Sequence, residues 1–323
     1  KPYFQMENVR AGVFNTAHKL FGLNFEKLED IPVYHNEVEG FKVTDADGSL
    51  IGILLTDYFP RSTKRGGAWM TNFVNQEVNA EGVDIRPVIV NVGNFAKPTA
   101  DKPSLLTLDQ VETLFHEYGH ALHGLLSQCT YKSVAGTSVA RDFVELPSQI
   151  MENWAFQKDV LAKYARHYQT GEVIPDELVA KIMAAETFNQ GFMTTELAAA
   201  SILDLKWHML SSVEGLDPMA FEPQACKEMG LIDEIIPRYR STYFAHIFSG
   251  GYSAGYYSYL WAEVLDKDAF ELFMEKGIFD AETAMSFRRN ILEKGGSDEP
   301  MDLYRRFRGA DPDPAALTRA RGL

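Results

Sequence analysis

Two histidines and a glutamate lie close together in the sequence HEYGH, at residues 116–120. His116 and His120 are four residues apart, so on a helix both imidazoles lie on one face, one turn apart, where they can bind the same zinc ion. Glu117 lies beside them and can take a proton from a zinc-activated water and later deliver it to a leaving amine. The spacing favours metal-assisted hydrolysis of a peptide bond, and the alternative is a chance pattern in a structural helix, since five residues with three fixed positions recur by chance in many helical proteins.

A catalytic zinc also needs a third ligand from the protein. The best candidate is Glu145, in the segment GTSVARDFVELPSQ, which begins a second helical segment after a loop at Gly136. The intervening chain is long enough to fold back on the first helix. By spacing alone, however, Glu145 is one acidic residue among 45.

Other residues near the motif are candidates for supporting roles. His123 is two helical turns from His116, about 10 Å along the axis, which is too far for a ligand of the same zinc, so we interpret it as structural. Asp142 and Glu152 are candidate acceptors for the second nitrogens of the ligand histidines. Position 149 is Gln rather than an acid, and the choice between the two carboxylates stays open.

The sequence around the motif predicts the helix that carries it. Thr107 followed by Gln110 has the spacing of a capping box. Beyond it, apolar residues recur at three- and four-residue intervals along one stripe, at positions 108, 111, 114, 115, 118, 121, 122 and 125.

The rest of the chain divides into a short β region and a long helical one. Two alternating runs in FKVTDADGSLIGILLTDYF, joined by Asp-Ala-Asp-Gly, predict a hairpin, and the run RPVIVNVGNF at 86–95 predicts a further strand. We therefore expect a small sheet at about residues 33–95 and a helical bundle at about 104–323. The predicted fold class is mainly α with a small β-sheet.

The run RPVIVNVGNF allows two interpretations. As an edge strand beside the zinc helix, it could bind a substrate as an additional strand, with Gly93 permitting close approach of the substrate backbone. Alternatively, it is a core strand.

Three tyrosines and a basic run complete the candidate residues. Tyr252, Tyr256 and Tyr259 follow Gly250-Gly251 at spacings of four and three, so a helix would display their hydroxyls along one face. Aromatic stripes of this kind are more often core than active site. The run Arg305, Arg306 and Arg308 is typical of a solvated helix face, and binding of a peptide carboxylate is the less favoured alternative.

Composition excludes several classes of function. The 323 residues carry a net charge of −14, which repels a phosphate backbone and argues against nucleic acid as a partner. No run approaches 18 consecutive apolar residues, so we expect neither a membrane span nor a signal peptide. The two cysteines, Cys129 and Cys226, are too few for a disulfide framework and indicate a cytoplasmic location.

Several segments together resemble one known family. HEYGHALHGLL followed by GTSVARDFVELPSQ is similar to the thimet oligopeptidase family of zinc metallopeptidases, as are KRGGAWM, HIFSGGYSAGYYSYLWAEV and GGSDEPMDLYRRFRG. The resemblance covers essentially the whole chain. Within the family, the chain looks most similar to bacterial peptidyl-dipeptidases, in RDFVELPSQ and in the spacing of HIFSGGY.

The resemblance implies a role for each candidate residue. It makes His116, His120 and Glu145 the ligands of one zinc ion per chain, with Glu117 as the catalytic base. It assigns Tyr259 and His246 to catalysis, as donors to the developing oxyanion, and Tyr252 and Tyr256 to substrate binding.

The resemblance also implies a substrate class. We expect residues 1–323 to form a zincin-like catalytic domain that hydrolyses short peptides and releases C-terminal dipeptides. An endo-acting oligopeptidase with the same zinc chemistry is the alternative. Family members carry a long helical N-terminal portion that forms one wall of the substrate channel, and we expect this chain to lack it. A zinc-binding fragment that is inactive without that portion is therefore a third possibility.

Overall fold

The computed structural model describes residues 1–323 of the chain. Helices form most of it, and a five-stranded sheet lies in the first third of the sequence. The predicted fold class, mainly α with a small β-sheet, is confirmed. None of the helices combines the length and the apolar character needed to cross a lipid bilayer.

The strands occupy a somewhat longer region than the sequence indicated. They are β1 (Asn24–Leu28), β2 (Glu39–Thr44), β3 (Leu50–Asp57), β4 (Trp69–Val74), β5 (Glu77–Val78), β6 (Asp84–Ile85) and β7 (Val88–Val92).

Twelve α-helices surround or follow the sheet. They are α1 (Met6–Phe21), α2 (Leu108–Leu125), α3 (Leu146–Ala155), α4 (Lys158–Tyr164), α5 (Asp176–Ala185), α6 (Gln190–His208), α7 (Pro218–Glu228), α8 (Ala245–Phe248), α9 (Ser258–Lys276), α10 (Ala281–Phe287), α11 (Pro300–Arg308) and α12 (Ala315–Arg321).

The predicted hairpin is β2–β3. Its turn closes with the Gly48 N–H donating to the Asp45 carbonyl at 2.9 Å, and Gly48 has a φ of 84°, a conformation that favours glycine. The two strands pair antiparallel with Val43 opposite Gly52. Local turn chemistry therefore produces the hairpin that the sequence predicted.

The sheet order corrects the prediction about an edge strand. The order is β1-β2-β3-β7-β4, so β7, which contains most of RPVIVNVGNF, pairs on one side with β3 and on the other with β4. The backbone N–H and C=O groups of β7 therefore pair with a strand on each side, and the edge-strand interpretation is wrong. Gly93 instead leaves room for the Phe95 ring, because a Cβ at position 93 would lie 3.1 Å from that ring. The edge strands of the sheet are β1 and β4, and β4 is the one next to β7.

Helix α2 lies directly on the sheet because a glycine faces it. A Cβ at Gly124 would lie 2.5 Å from Met70 Cε and 2.7 Å from Ile89 Cδ1, so a larger residue would have to displace these two side chains. Phe115, Leu122 and the other buried apolar side chains of α2 belong to the main hydrophobic core. Burying their apolar side chains fixes the helix against β4 and β7.

Candidate active site

The helix that carries HEYGH begins as predicted. Thr107 Oγ1 accepts a hydrogen bond from the Gln110 N–H at 3.2 Å, and Gln110 Oε1 accepts one from the Thr107 N–H at 3.0 Å. This reciprocal pair satisfies two backbone donors at the start of α2. The predicted apolar stripe is buried except at Leu108, while His116 and His120 remain partly accessible.

The glycine of HEYGH lets a second helix approach the first. A Cβ at Gly119 would lie 2.1 Å from the Pro147 carbonyl oxygen and 2.6 Å from Ser148 Cα, which are backbone atoms of α3. Glu145 immediately precedes α3, and Ser148 Oγ donates to its carbonyl at 2.8 Å and to its Oε2 at 3.0 Å. The contact at Gly119 thus brings Glu145 beside the two histidines.

The three predicted ligand residues converge. Nε2 of His116 lies 3.3 Å from Glu145 Oε2, and Nε2 of His120 lies 3.1 Å from the same oxygen. Ligands about 2.0–2.2 Å from a tetrahedral zinc lie about 3.3–3.6 Å from one another. Two imidazoles and one carboxylate are also the donor types that zinc binds, so these residues fit the ion in spacing and in chemistry.

The electrostatic environment favours a cation at this point. Burial alone would lower the pKa of His116, but hydrogen bonds with Glu145 and Glu152 raise it well above its ordinary value. Burial would likewise raise the pKa of Glu145, but the neighbouring His120 and His116 hold it well below the usual range. The carboxylates of Glu145 and Glu152 favour positive charge at the imidazoles. Either a proton on an imidazole or a metal ion bound by it would supply that charge.

Glu117 has the environment of a proton acceptor. It is 7% exposed and lines the same cavity as the two histidines. Burial raises its pKa above the ordinary value, although His116 and His120 oppose the shift. A carboxylate whose pKa is raised toward neutrality is a stronger base than one in water.

Glu152 lies behind one histidine. Nδ1 of His116 is 2.5 Å from Glu152 Oε1, which leaves Nε2 directed at Glu145. Asp142, the other candidate acceptor, instead accepts a hydrogen bond from the Tyr257 hydroxyl at 2.8 Å. His123 is fully buried, and burial lowers its pKa to about 3.

The three tyrosines do not share a helix face, so that prediction is wrong. Helix α9 begins at Ser258, and Tyr252 and Tyr256 lie in the preceding turns. Ala254, between them, has a φ of 52°, which an α-helix cannot accommodate. The turns nevertheless bring Tyr252 and Tyr259 together, because their rings stack with centroids 5.2 Å apart.

Tyr256 lies beside Tyr259, with ring centroids 5.2 Å apart, but unlike the other two tyrosines it does not line the cavity. Tyr252, Tyr259 and His246 line the same cavity as His116, His120 and Glu145. Tyr256 is 3% exposed and packs against Phe244 with ring centroids 4.8 Å apart. Burial raises the pKa of both Tyr252 and Tyr259, and the nearby Glu145 raises each further, so both remain protonated hydrogen-bond donors.

The cavity has a volume of about 430 Å³ and one wall formed by the sheet. Ala68, Trp69 and Met70, at the start of edge strand β4, line it together with the ligand residues. Arg141 and Thr137 also line it, although the sequence had not singled them out. Burial and the nearby Arg238 lower the pKa of His246.

A comparison with known protein families gives a match that covers the whole chain. The sequence profile of Peptidase family M3 matches residues 1–323. The chain belongs to peptidase family M3. The resemblance seen in its sequence segments is thereby confirmed.

Two relatives of this M3 chain illustrate the range of activities in the family. It is 46% identical over 326 residues to the dipeptidyl carboxypeptidase of Escherichia coli strain K12, covering 100% of this chain and 47% of the relative. It is 40% identical over 329 residues to oligopeptidase A of the same strain, covering 100% of this chain and 48% of the relative. The chain thus spans about half the length of these relatives.

Solved structures show the same fold at low sequence identity. A carboxypeptidase from Pyrococcus furiosus superposes with a TM-score of 0.54 at 14% identity, covering 99% of this M3 chain and 58% of that protein. The structure of BsuCP gives the same TM-score at 13% identity, covering 99% and 59%.

The basic run near the C-terminus does not line the cavity of this M3 chain. Arg305 pairs with Asp302 at 3.0 Å, and both side chains are about half exposed. Arg308 pairs with Asp268 at 3.2 Å. The pair of Arg305 is consistent with a solvated helix face, whereas Arg308 is partly buried against the buried Asp268.

Proposed function

We propose that this M3 domain hydrolyses short peptides with one zinc ion held by His116, His120 and Glu145. The observation that carries the proposal is the convergence of two Nε2 atoms on Glu145 Oε2, with Glu117 beside them in one cavity. When bound, zinc supplies Lewis acidity, which lowers the pKa of a water molecule and polarises a carbonyl group.

The remaining chemistry falls to the side chains of the cavity. Glu117 accepts a proton from the attacking water and delivers it to the leaving amine nitrogen, because its buried carboxylate faces the same space as the ligands. Tyr259 and His246 donate hydrogen bonds to the oxygen that becomes negatively charged. Tyr252 and Tyr256 remain our candidates for substrate binding, with Tyr252 in the cavity and Tyr256 supporting it from behind.

Edge strand β4 supplies a way to align the substrate. Its outer side has no strand partner in the sheet, and its first residues, Trp69 and Met70, line the cavity. A peptide that adds to this edge is held by backbone hydrogen bonds, which do not depend on its side chains. The substrate-binding role that the sequence suggested for β7 is therefore proposed for β4.

For the products, we favour release of C-terminal dipeptides. The support is the 46% identity to a dipeptidyl carboxypeptidase, against 40% to oligopeptidase A. Endo-cleavage is the second candidate, because both relatives match the whole chain. We place the protein in a reducing, cytoplasmic compartment, since Cys129 and Cys226 are unpaired.

One experiment tests the zinc chemistry. The chain, purified without added metal, is analysed for zinc and assayed on an internally quenched peptide with and without a chelator. We expect one zinc per chain, cleavage that the chelator abolishes, and loss of cleavage in Glu117→Gln with the zinc retained. Chelator-insensitive cleavage, or equal cleavage by Glu117→Gln, contradicts the proposal.

A second experiment distinguishes the products and the role of missing sequence. Peptides with free and with amidated C-termini are compared by mass spectrometry of the products. Dipeptide release requires the free carboxylate, whereas endo-cleavage tolerates the amide. The relatives are about twice as long as this chain. If the chain binds zinc but cleaves only after addition of an N-terminal portion, the third possibility holds, namely a zinc-binding domain that is inactive without that portion.

A further inference from the structure

A glycine-rich loop carries one of the tyrosines of the cavity. We call residues 249–257, between α8 and α9, the tyrosine loop. It contains Gly250, Gly251 and Gly255, and glycine gives a backbone more conformational freedom than any other residue. The hydroxyl of Tyr252 nevertheless lies 2.5 Å from Glu145 Oε1, so contacts from outside the loop must fix its conformation.

One side of the loop is held by helix α6. Asp204 is fully buried, and its Oδ1 accepts from the Ala254 N–H at 3.0 Å while its Oδ2 accepts from the Tyr256 N–H at 2.9 Å. These bonds stabilise the left-handed conformation of Ala254, which is unfavourable for a residue with a side chain.

The opposite side is held by two consecutive residues, Arg141 and Asp142. The guanidinium carbon of Arg141 lies 4.6 Å from the centroid of the Tyr252 ring. Its side chain also covers two glycines, because a Cβ at Gly251 would lie 3.3 Å from Arg141 Nη2 and one at Gly255 would lie 3.4 Å from Arg141 Cγ. Arg141 is exposed and forms no ion pair, so no carboxylate holds its side chain away from the loop.

Asp142 makes the second contact, at the far end of the loop. Its Oδ2 accepts a hydrogen bond from the Tyr257 hydroxyl at 2.8 Å. The two residues therefore contact different parts of the loop, Arg141 at Tyr252 and the neighbouring glycines and Asp142 at Tyr257. Both belong to the segment that leads directly into Glu145.

We propose that Arg141 and Asp142 clamp the tyrosine loop and are positioning residues for Tyr252. Because the clamp and Glu145 lie on one short segment, the tyrosine hydroxyl and the carboxylate move together when that segment moves. The consequence for catalysis rests on the proposed peptidase function. A donor in an active site must be held to within about 0.5 Å, and a 1 Å misplacement can lower the rate about a hundredfold.

Hydrogen exchange tests the clamp without requiring catalysis. The reporters are the amides of Tyr252 and Gly255, which donate to the His246 and Tyr252 carbonyls, both at 2.9 Å. In Asp142→Ala and in Arg141→Met, we expect exchange across residues 249–257 to become at least threefold faster. Asp142→Asn keeps an oxygen acceptor for Tyr257 and should restore slow exchange.

Matched controls separate the clamp from a general loss of charge. Asp101 and Arg289 are exposed and make no side-chain hydrogen bond or ion pair, so Asp101→Ala and Arg289→Met should leave exchange of the loop unchanged. Zinc content should be the same in all the variants. Unchanged exchange in both Asp142→Ala and Arg141→Met overturns the proposal, whatever the peptidase assay shows.

Steady-state kinetic parameters provide a second measurement, which should stay unchanged if Asp142 has only a structural role. Because Tyr252 is our candidate for substrate binding, Asp142→Ala should lower kcat/KM roughly tenfold, chiefly through a higher KM, and Asp142→Asn should recover most of the loss. Tyr257→Phe should give a similar loss, and the double variant Asp142→Ala/Tyr257→Phe should be no slower than either single variant. Multiplicative losses would mean that the two residues act independently, which contradicts a clamp formed by their hydrogen bond.

Discussion

Nδ1 of His116 and Oε1 of Glu152 lie 2.5 Å apart, on helices that are separated in sequence by the loop leading to Glu145. The contact fixes the orientation of the imidazole ring and directs Nε2 toward Glu145. It also joins α2 to α3 at the level of the proposed metal site. Both consequences predict that Glu152 contributes to the affinity of the proposed metal site.

Replacing Glu152 should therefore weaken metal binding without removing a ligand. We expect Glu152→Ala to weaken zinc affinity ten- to a hundredfold, as is typical when the partner of a ligand histidine is lost. Competition with a chromophoric chelator measures the change. Glu152→Gln, which keeps an acceptor oxygen, should lie between wild type and Glu152→Ala, and Glu275→Gln, at an exposed position without side-chain bonds, is the control. Equal affinities in all four proteins would show that Glu152 has no such role.

The contact of Gly119 with α3 leads to a prediction about a single methyl group. Because a Cβ at Gly119 would lie 2.1 Å from the Pro147 carbonyl oxygen, Gly119→Ala forces α3 and Glu145 away from the histidines. We expect a loss of about 1–3 kcal/mol in the free energy of unfolding, as for other overpacked sites, together with weaker zinc binding.

A second glycine provides the matched control for that substitution. Gly191 lies in α6, and a Cβ there would meet no atom within 4 Å. Gly191→Ala should be neutral or stabilising by up to about 1 kcal/mol, because alanine has the higher helix propensity. Denaturant unfolding of both variants decides the matter, and a Gly119→Ala protein as stable as wild type would contradict the close approach.

The different environments of Tyr259 and Tyr256 predict different kinetic effects. Tyr259 lines the cavity, so removing its hydroxyl in Tyr259→Phe should lower kcat about a hundredfold, the effect typical of one oxyanion donor. Tyr256 is buried against Phe244, so Tyr256→Phe should have a clearly smaller effect. Steady-state kinetics on one quenched peptide provide the comparison, and a larger loss in Tyr256→Phe would reverse the assignment.

The sequence predicted those features that depend on neighbouring residues. The capping box of Thr107 and Gln110, the apolar stripe of α2 and the turn at Gly48 each involve contacts within a few positions, and each is present in the structure. The juxtaposition of His116 and His120 also follows from helix geometry alone.

Features that depend on distant contacts could not be predicted in the same way. The position of β7 inside the sheet depends on its pairing with β4, and nothing local to RPVIVNVGNF specifies that partner. The tyrosines leave the helix because Asp204, on α6, stabilises the left-handed Ala254. The role of Glu152 rather than Asp142 beside His116 depends on how α3 packs against α2.

The burial of His123 predicts how stability changes with pH. Burial lowers its pKa to about 3 in the folded protein, whereas an exposed histidine in the unfolded chain has a pKa of about 6.5. Between these values, the unfolded state binds a proton that the folded state does not. This contribution to stability is therefore fully present above pH 6.5 and is lost as the pH falls, by up to about 1.4 kcal/mol per pH unit.

Replacing His123 with an apolar residue should remove this dependence. Relative to wild type, His123→Leu should gain about 2 kcal/mol in the free energy of unfolding between pH 7 and pH 5. Denaturant unfolding in the presence of a chelator measures the difference without a contribution from bound metal. His123→Phe will differ from His123→Leu in absolute stability because it fills the site differently, but both should show the same change with pH. Curves that run parallel to wild type over this range would mean that His123 is not the titrating group, because the packing of a neutral side chain does not depend on pH.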